Sequence, residues 1–268
     1  MKNTSRFLPP MPDASHSARS DQLIIQLYQR LFHQYGPQGW WPLRGLGTHA
    51  LDKTGSRQGY HPGDYSYPHT RQQRWEIIMG ALLTQNTNWV AVTRALENLW
   101  QEKIYTPEAL AYSDDHILRQ AIRPAGYYNQ KAQRLKSLAQ WFLETTHVPD
   151  RHELLAIDGI GPETADSILL YVYQEPHFII DAYTRRIAYA MGIIASEKIP
   201  YMHLKKMFES AFVSETGSAV EQFQEYHALL VEHGKRFYSR KPWGVDDPVR
   251  QHLAMAGTKT SSTRDSSP

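Results

Sequence analysis

The chain has no cysteine among its 268 residues, which excludes disulfides, thiolate nucleophiles and any iron–sulfur cluster held by cysteine. No apolar run approaches the ~20 residues that a helix needs to cross a bilayer, and the first residues lack the apolar stretch of a secretion signal. A cytoplasmic protein with no membrane contact is the expectation. An excess of charge is missing too, because 29 basic and 27 acidic side chains leave a net +2. A polyanion would therefore have to be bound by one local face. The 13 histidines show no metal-ligand spacing, and neither an internal repeat nor a locally supported Ser-His-Asp pattern is present.

What the chain does carry is helical periodicity, with no strand alternation, so the fold class is all-α. Helices are expected over residues 22–35, 71–83, 89–100, 107–112, 114–121, 130–145, 151–157, 162–174, 181–191, 201–213 and 218–234. Residues 1–20 and the tail 256–268 are short of apolar side chains and rich in Ser, Thr and Pro. Both are expected to stay mobile outside a folded domain of residues 21–255.

The most informative stretch runs from Leu154 to Gly192. Leu154, Leu155 and Ile157 recur at helical spacing, Asp158-Gly159-Ile160-Gly161 breaks the pattern, and Pro162 suits the first position of a new helix. Glycines let the backbone approach an oxygen closely, and the free amides at a helix start favour an anion. A plain glycine-capped corner explains the same residues. Eighteen positions after Glu163, the apolar Phe178-Ile179-Ile180 delivers Asp181 to another helix start. There it is either a chemical carboxylate or simply an N-cap.

Taken together, LLAIDGIGPETA (154–165), FIIDAYTRRI (178–187), ALLTQNTNW (81–89) and VEHGKRF (231–237) resemble the helix-hairpin-helix, glycine–proline–aspartate (HhH-GPD) superfamily of DNA glycosylases, typified by endonuclease III. The resemblance covers about residues 72–240. It implies two helical lobes around a cleft: a six-helix lobe of about 71–191, and a second lobe from 21–70 and 192–255. Asp181 would lie at the cleft mouth as the carboxylate needed to cleave the N-glycosidic bond. Gly159, Ile160, Gly161 and the neighbouring Thr164 would hold a phosphate of double-stranded DNA bearing a damaged or mismatched base. A monovalent cation often accompanies that hairpin backbone. Gln85 would fill the gap left by a flipped base, with Asn86 as the lesser candidate. A monomer is expected.

Two departures from the family narrow the activity. Members that nick the strand carry a lysine where this chain has Glu163, and a carboxylate cannot form an imine with the sugar. Base removal without strand nicking is the expectation. The family's four cluster cysteines are absent, so no cofactor is expected. Tyr238, Pro242 and Trp243 are expected to pack where the cluster loop would be.

Chemically, a fixed carboxylate at Asp181 can stabilise the sugar cation or orient water. Glu163, facing the same cavity, could share a proton with it and protonate the departing base. Arg123, Lys131, Arg134 and Lys136 around Gly126-Tyr127-Tyr128-Asn129 offer phosphate contacts, as do His203, Lys205 and Lys206; a solvated helix face is the alternative. Trp40, Trp41, Tyr65 and Tyr67 lie in an irregular segment and are candidates for the base pocket, since rings stack on bases and attract cationic ones. Anchoring the segment to the core would use the same rings. An alkylated purine such as 3-methyladenine is the favoured substrate. Mismatched or oxidised pyrimidines, and a DNA-binding module without catalysis, are the alternatives.

Overall fold

The computed structural model describes residues 14–46, 59–212 and 218–253, and no strand occurs among them. Residues 1–13 and the tail from 256 fall outside that range. α1 (Ala14–Tyr35) starts earlier than expected, because residues 14–20 join the helix instead of staying mobile. Ser20 is buried, with its hydroxyl on the Ile193 carbonyl.

α2 (Arg71–Leu83) is opened by a capping box between Thr70 and Gln73 and is buried on every side from Trp75 to Leu83. It is the axis of the first lobe, and deleting the side chain of a fully buried residue such as Leu82 would cost about 2–5 kcal/mol. α3 (Trp89–Gln101) is capped by Asn88, which accepts the Ala91 amide at 3.0 Å. α4 (Pro107–Ala111), α5 (Asp115–Ala121) and a 3-10 turn at Arg123–Ala125 lead into α6 (Tyr128–Glu144). The hairpin consists of α7 (Arg151–Leu155) and α8 (Pro162–Val172), with Pro162 in the first turn as expected. α2 packs on α3, α6 and α8, while α4 and α5 pack on α6.

In the second lobe α1 packs on α10 (Tyr201–Ala211) and α11 (Ala219–Phe237). α9 (Ala182–Ala190), expected at the end of the first lobe, packs on α11. Gly234 permits this, since a Cβ there would lie 2.4 Å from Cγ of Tyr183. Asp181 therefore stands at the joint between lobes, which α8 and α11 also bridge.

Beyond α11 the chain folds back over residues expected to replace a cluster loop. Tyr238 is fully buried, donating to Asp247 Oδ2 at 2.6 Å, and His233 Nε2 meets the same oxygen at 3.0 Å. Trp243 is half-buried beneath the Arg186 guanidinium. Pro242, by contrast, is exposed and packs nothing away.

Candidate active site

The hairpin turn is built by Gly159 at φ +79°, where a Cβ would also collide with the Arg134 side chain at 2.1 Å. Arg134 thus lies directly on the turn, beside Asp158 at 3.7 Å. No side chain caps the first turn of α8, so its amides remain open. The amides of Gly159 and Gly161 make no hydrogen bond among the described residues, but that of Ile160 is turned onto the Ile157 carbonyl at 3.1 Å. Ile160, expected to offer its amide to phosphate, instead closes the turn and buries its side chain.

The loop after α2 meets this turn. Gln85 Nε2 donates to the Gly159 carbonyl at 3.0 Å and to Thr164 Oγ1 at 2.9 Å, using both its amide hydrogens. Gln85 is therefore tied down, whereas Asn86 is exposed at φ +54° and forms the tip. Thr164 is itself buried and acts through this contact. Of the two candidates, Asn86 is the one left exposed and without a side-chain hydrogen bond among the described residues.

Lys131, expected on DNA, is 2 % exposed. Its ammonium donates to the carbonyls of Leu83, Gln85 and Ala125 at 2.8, 2.8 and 2.9 Å. Burial, and then the nearby Arg134, push its pKa down to about 8. Three acceptors are a full complement for an ammonium, so it holds the loop as a cation at neutral pH. Lys136 is paired with Asp115, and Lys205 is buried against Asp166 and Glu209. Of the basic residues weighed for phosphate, Arg134 is the one the structure sets on the hairpin.

The two carboxylates converge. Asp181 caps α9 by accepting the Thr184 amide on Oδ1 at 2.6 Å; Oδ2 has no hydrogen bond among the described residues. Glu163 is an exposed residue, yet protein lies close around its carboxyl, and desolvation followed by the charge of Asp181 pushes its pKa up to about 8. The buried Glu76, Asp166, Glu225 and Asp247 all have hydrogen-bond donors. Glu163 has none, and an acid whose pKa is raised by desolvation and by a neighbouring carboxylate is a candidate functional group.

Around them lies an aromatic wall. Trp41 packs edge-on against Trp89 at 5.6 Å and against Tyr171 at 5.3 Å, and Trp40 against His227 at 5.7 Å. Gly80, in the middle of α2, makes room for both Trp41 and Trp89. The indole Nε1–H groups of Trp41 and Trp89 are buried without a partner. Asp181 acts electrostatically on both Tyr171 and His227. The Tyr171 hydroxyl donates to the Gln224 carbonyl at 3.0 Å, so His227 Nδ1, at 2.9 Å, must donate to it. Burial lowers the His227 pKa and keeps the ring neutral, with its lone pair on Nε2.

Tyr65 and Tyr67 do not join this wall. Tyr65 donates to Glu225 Oε2 at 3.0 Å, and the same carboxylate accepts the Gln38 and Gly39 amides, anchoring the segment. Tyr67 stacks between His61 and His69. Trp89, Tyr171 and His227 are the residues sequence reasoning missed. Trp89 stood inside a recognised motif, while Tyr171 and His227 meet across 56 positions, a distance no local pattern spans.

The description "HhH-GPD superfamily base excision DNA repair protein" matches residues 79–212. A protein of Methanocaldococcus jannaschii, named as a DNA repair glycosylase, is 34% identical over 242 residues, covering 86% of this chain and 95% of that one. The chain belongs to the HhH-GPD superfamily of DNA glycosylases. Among solved structures it is similar to the Helicobacter pylori 3-methyladenine DNA glycosylase bound to 1,N6-ethenoadenine, with TM-score 0.58 and 25% identity over 81% of this chain and 97% of that chain. A trapped endonuclease III–DNA covalent intermediate shares the fold, with TM-score 0.64, 18% identity, and coverage of 90% and 98%.

Proposed function

We propose that the chain is a monofunctional DNA N-glycosylase that releases an alkylated purine from double-stranded DNA. The observation that carries this reading is Glu163: an acid with a pKa near 8, beside Asp181, where strand-nicking relatives need an amine. Lys131 and Lys205 are both committed elsewhere, and Lys235, whose ammonium lies 5.8 Å from the Trp40 ring, is paired with Glu232. With Glu163 in the place of the family's amine, the usual imine and the lyase step that follows it have no nucleophile at that position.

In this mechanism the hairpin amides of Gly159 and Gly161, with Arg134 alongside, hold a phosphate. The target base leaves the stack, at a cost of a few kcal/mol, and Asn86 occupies the gap. Two of the turn's carbonyls already accept hydrogen bonds from Gln85 and Ile160, so a monovalent cation there would have to share them, and no step depends on one. The base is taken up beside the aromatic wall of Trp40, Trp41 and Trp89, whose ring faces can stack on a purine and attract a cationic one.

An alkylated purine already carries positive charge. When the bond from C1′ to the base breaks, its electron pair neutralises the ring, and no external acid is required. The free carboxylate oxygen of Asp181 stabilises the sugar cation and accepts the proton of the water that attacks C1′. Glu163, neutral at pH 7, donates a hydrogen bond to the base and adds no second negative charge beside Asp181.

The test is a panel of duplexes bearing 3-methyladenine, 1,N6-ethenoadenine, uracil, mismatched thymine or thymine glycol. Free base and strand nicking are read separately, with borohydride reduction to trap any imine. Release of alkylated purine without nicking or trapping, abolished in Asp181→Asn with binding kept, supports the proposal. A borohydride-trapped adduct would refute monofunctional action. Release of a pyrimidine instead would transfer the substrate to that class, and inertness of the wild type with retained binding would leave a DNA-binding module.

A further inference from the structure

Behind the two carboxylates lies a buried polar cluster that the proposed reaction does not use. Asp166, on α8, is fully buried. It accepts Arg151 Nε at 2.8 Å and Nη2 at 3.3 Å, with Lys205 Nζ at 3.4 Å and His177 Nδ1 at 3.6 Å. Arg151 opens α7, so this pair clamps the two helices of the hairpin together. Tyr201, the first residue of α10, gives its one hydroxyl hydrogen to Asp166 Oδ2 at 2.7 Å. That hydroxyl oxygen in turn accepts the Ile180 amide at 3.3 Å and lies 3.5 Å from the Pro162 carbonyl.

The consequence lies in which residues those are. Ile180 immediately precedes Asp181, and Pro162 immediately precedes Glu163. The backbone leading to Asp181 has no neighbouring strand, and side chains of α10 take that place. Glu209 accepts the Phe178 amide at 3.0 Å, Lys205 donates to the Phe178 carbonyl at 3.2 Å, and Tyr201 receives the Ile180 amide. The charges of Arg151, Lys205, Asp166 and Glu209 balance, and burial followed by Lys205 lowers the His177 pKa and keeps it neutral. A buried network with every member satisfied has one low-energy arrangement.

We propose that Tyr201 is a positioning residue for Asp181, with its hydroxyl, held on the hairpin helix by Asp166, setting the separation of Asp181 from Glu163 and the phosphate-holding hairpin. The proposal deepens the glycosylase reading and rests on it for the catalytic consequence, but the geometric claim stands without it. Tyr201 touches neither base nor sugar; it acts through the Ile180 amide and Asp166.

The experiment uses the full chain and Tyr201→Phe, which removes one oxygen and keeps the ring. Carbon-13 NMR of the labelled Glu163 carboxyl reports how close the Asp181 charge lies, with Asp181→Asn as the reference for its complete loss. The expected result is a Glu163 titration lowered by about one unit in Tyr201→Phe, part of the way to the Asp181→Asn value. Single-turnover base release should fall about tenfold, while affinity for abasic duplex stays within about twofold. An unchanged Glu163 titration in a folded Tyr201→Phe protein overturns the proposal. So does a loss of rate matched by an equal loss of affinity. If no lesion is released by the wild type while the titration still moves, the positioning claim holds and the glycosylase reading fails. Should Tyr201→Phe not fold, Glu209→Ala, which removes the acceptor of the Phe178 amide on the same backbone, carries the same titration and the same outcomes.

Discussion

Gln85 is bound to the hairpin that it was expected to work beside: its side-chain amide reaches the Gly159 carbonyl at 3.0 Å and Thr164 Oγ1 at 2.9 Å. The loop after α2 and the hairpin turn are therefore joined directly, and the exposed residue at the loop's tip is Asn86. Gln85→Ala should loosen that joint and leave Gly159 and Thr164 short of a donor, at about 1–3 kcal/mol. Asn86→Ala should leave stability within about 0.5 kcal/mol, as for an exposed position, while reducing base release at least tenfold. Thermal melting together with single-turnover kinetics separates the two, and equal melting losses would refute the division of roles.

Glu163 should govern the alkaline side of the pH profile. Its folded pKa of about 8 lies above the ordinary value of 4.5, so a proton held in the fold between those values is released on unfolding. The stability tied to this proton is complete below about 4.5 and is lost as pH rises through about 8. Base release should fall over the same upper limb, as the second carboxylate ionises beside Asp181. Glu163→Gln should flatten both curves between pH 6 and about 9, measured by melting and by initial rates. A limb that persists in the variant would assign it to another group.

The parts of this architecture that local chemistry dictates were legible in the sequence. Pro162 opens α8, Asn88 caps α3 and Asp181 caps α9 because those residue types have few better places to be. The hairpin and the two helix starts follow from such signals. Lys131 was not legible, because its helical spacing alone fits a solvated face as readily as a buried one, and its role depends on α2 ending beside it. The same holds for Tyr65: a ring in an irregular segment gives no sign that Glu225, 160 positions later, anchors it. The start of α1 was not legible because residues 14–20 carry no large apolar side chain, and the contact that ties Ser20 down comes from the Ile193 carbonyl, 173 positions away.

Lys131→Met tests the loop's foundation. The substitution keeps length and apolar bulk but leaves the carbonyls of Leu83, Gln85 and Ala125 without their shared donor. Several buried acceptors without partners should cost about 3 kcal/mol, or roughly 6–12 °C in melting temperature for a chain of this size. If Lys131 contacted phosphate instead, the variant would melt like the wild type, lose affinity uniformly across DNA sequences and show a smaller salt dependence of binding.

Asp247 should do for the C-terminal segment what a cysteine-held cluster cannot do in this chain. It collects His233 Nε2 and the Tyr238 hydroxyl on Oδ2 and the Val249 amide on Oδ1, and His233 Nδ1 continues the chain to the Tyr35 hydroxyl at 2.9 Å. Burial alone would raise the Asp247 pKa, but the hydrogen bond and charge of His233, with Tyr238, bring it below the ordinary value of 3.8. A depressed carboxylate contributes stability above its unfolded pKa and loses it as pH falls through the folded one. The segment should therefore hold at neutral pH and loosen only below about pH 4. Asp247→Asn keeps the shape but gives up the charge and one acceptor oxygen shared by His233 and Tyr238, and should cost about 1–3 kcal/mol. Hydrogen exchange at the amides of residues 238–253 reads this locally. Protection there that is unchanged in Asp247→Asn would show that packing of Tyr238 and Trp243, without the polar chain, holds the segment down.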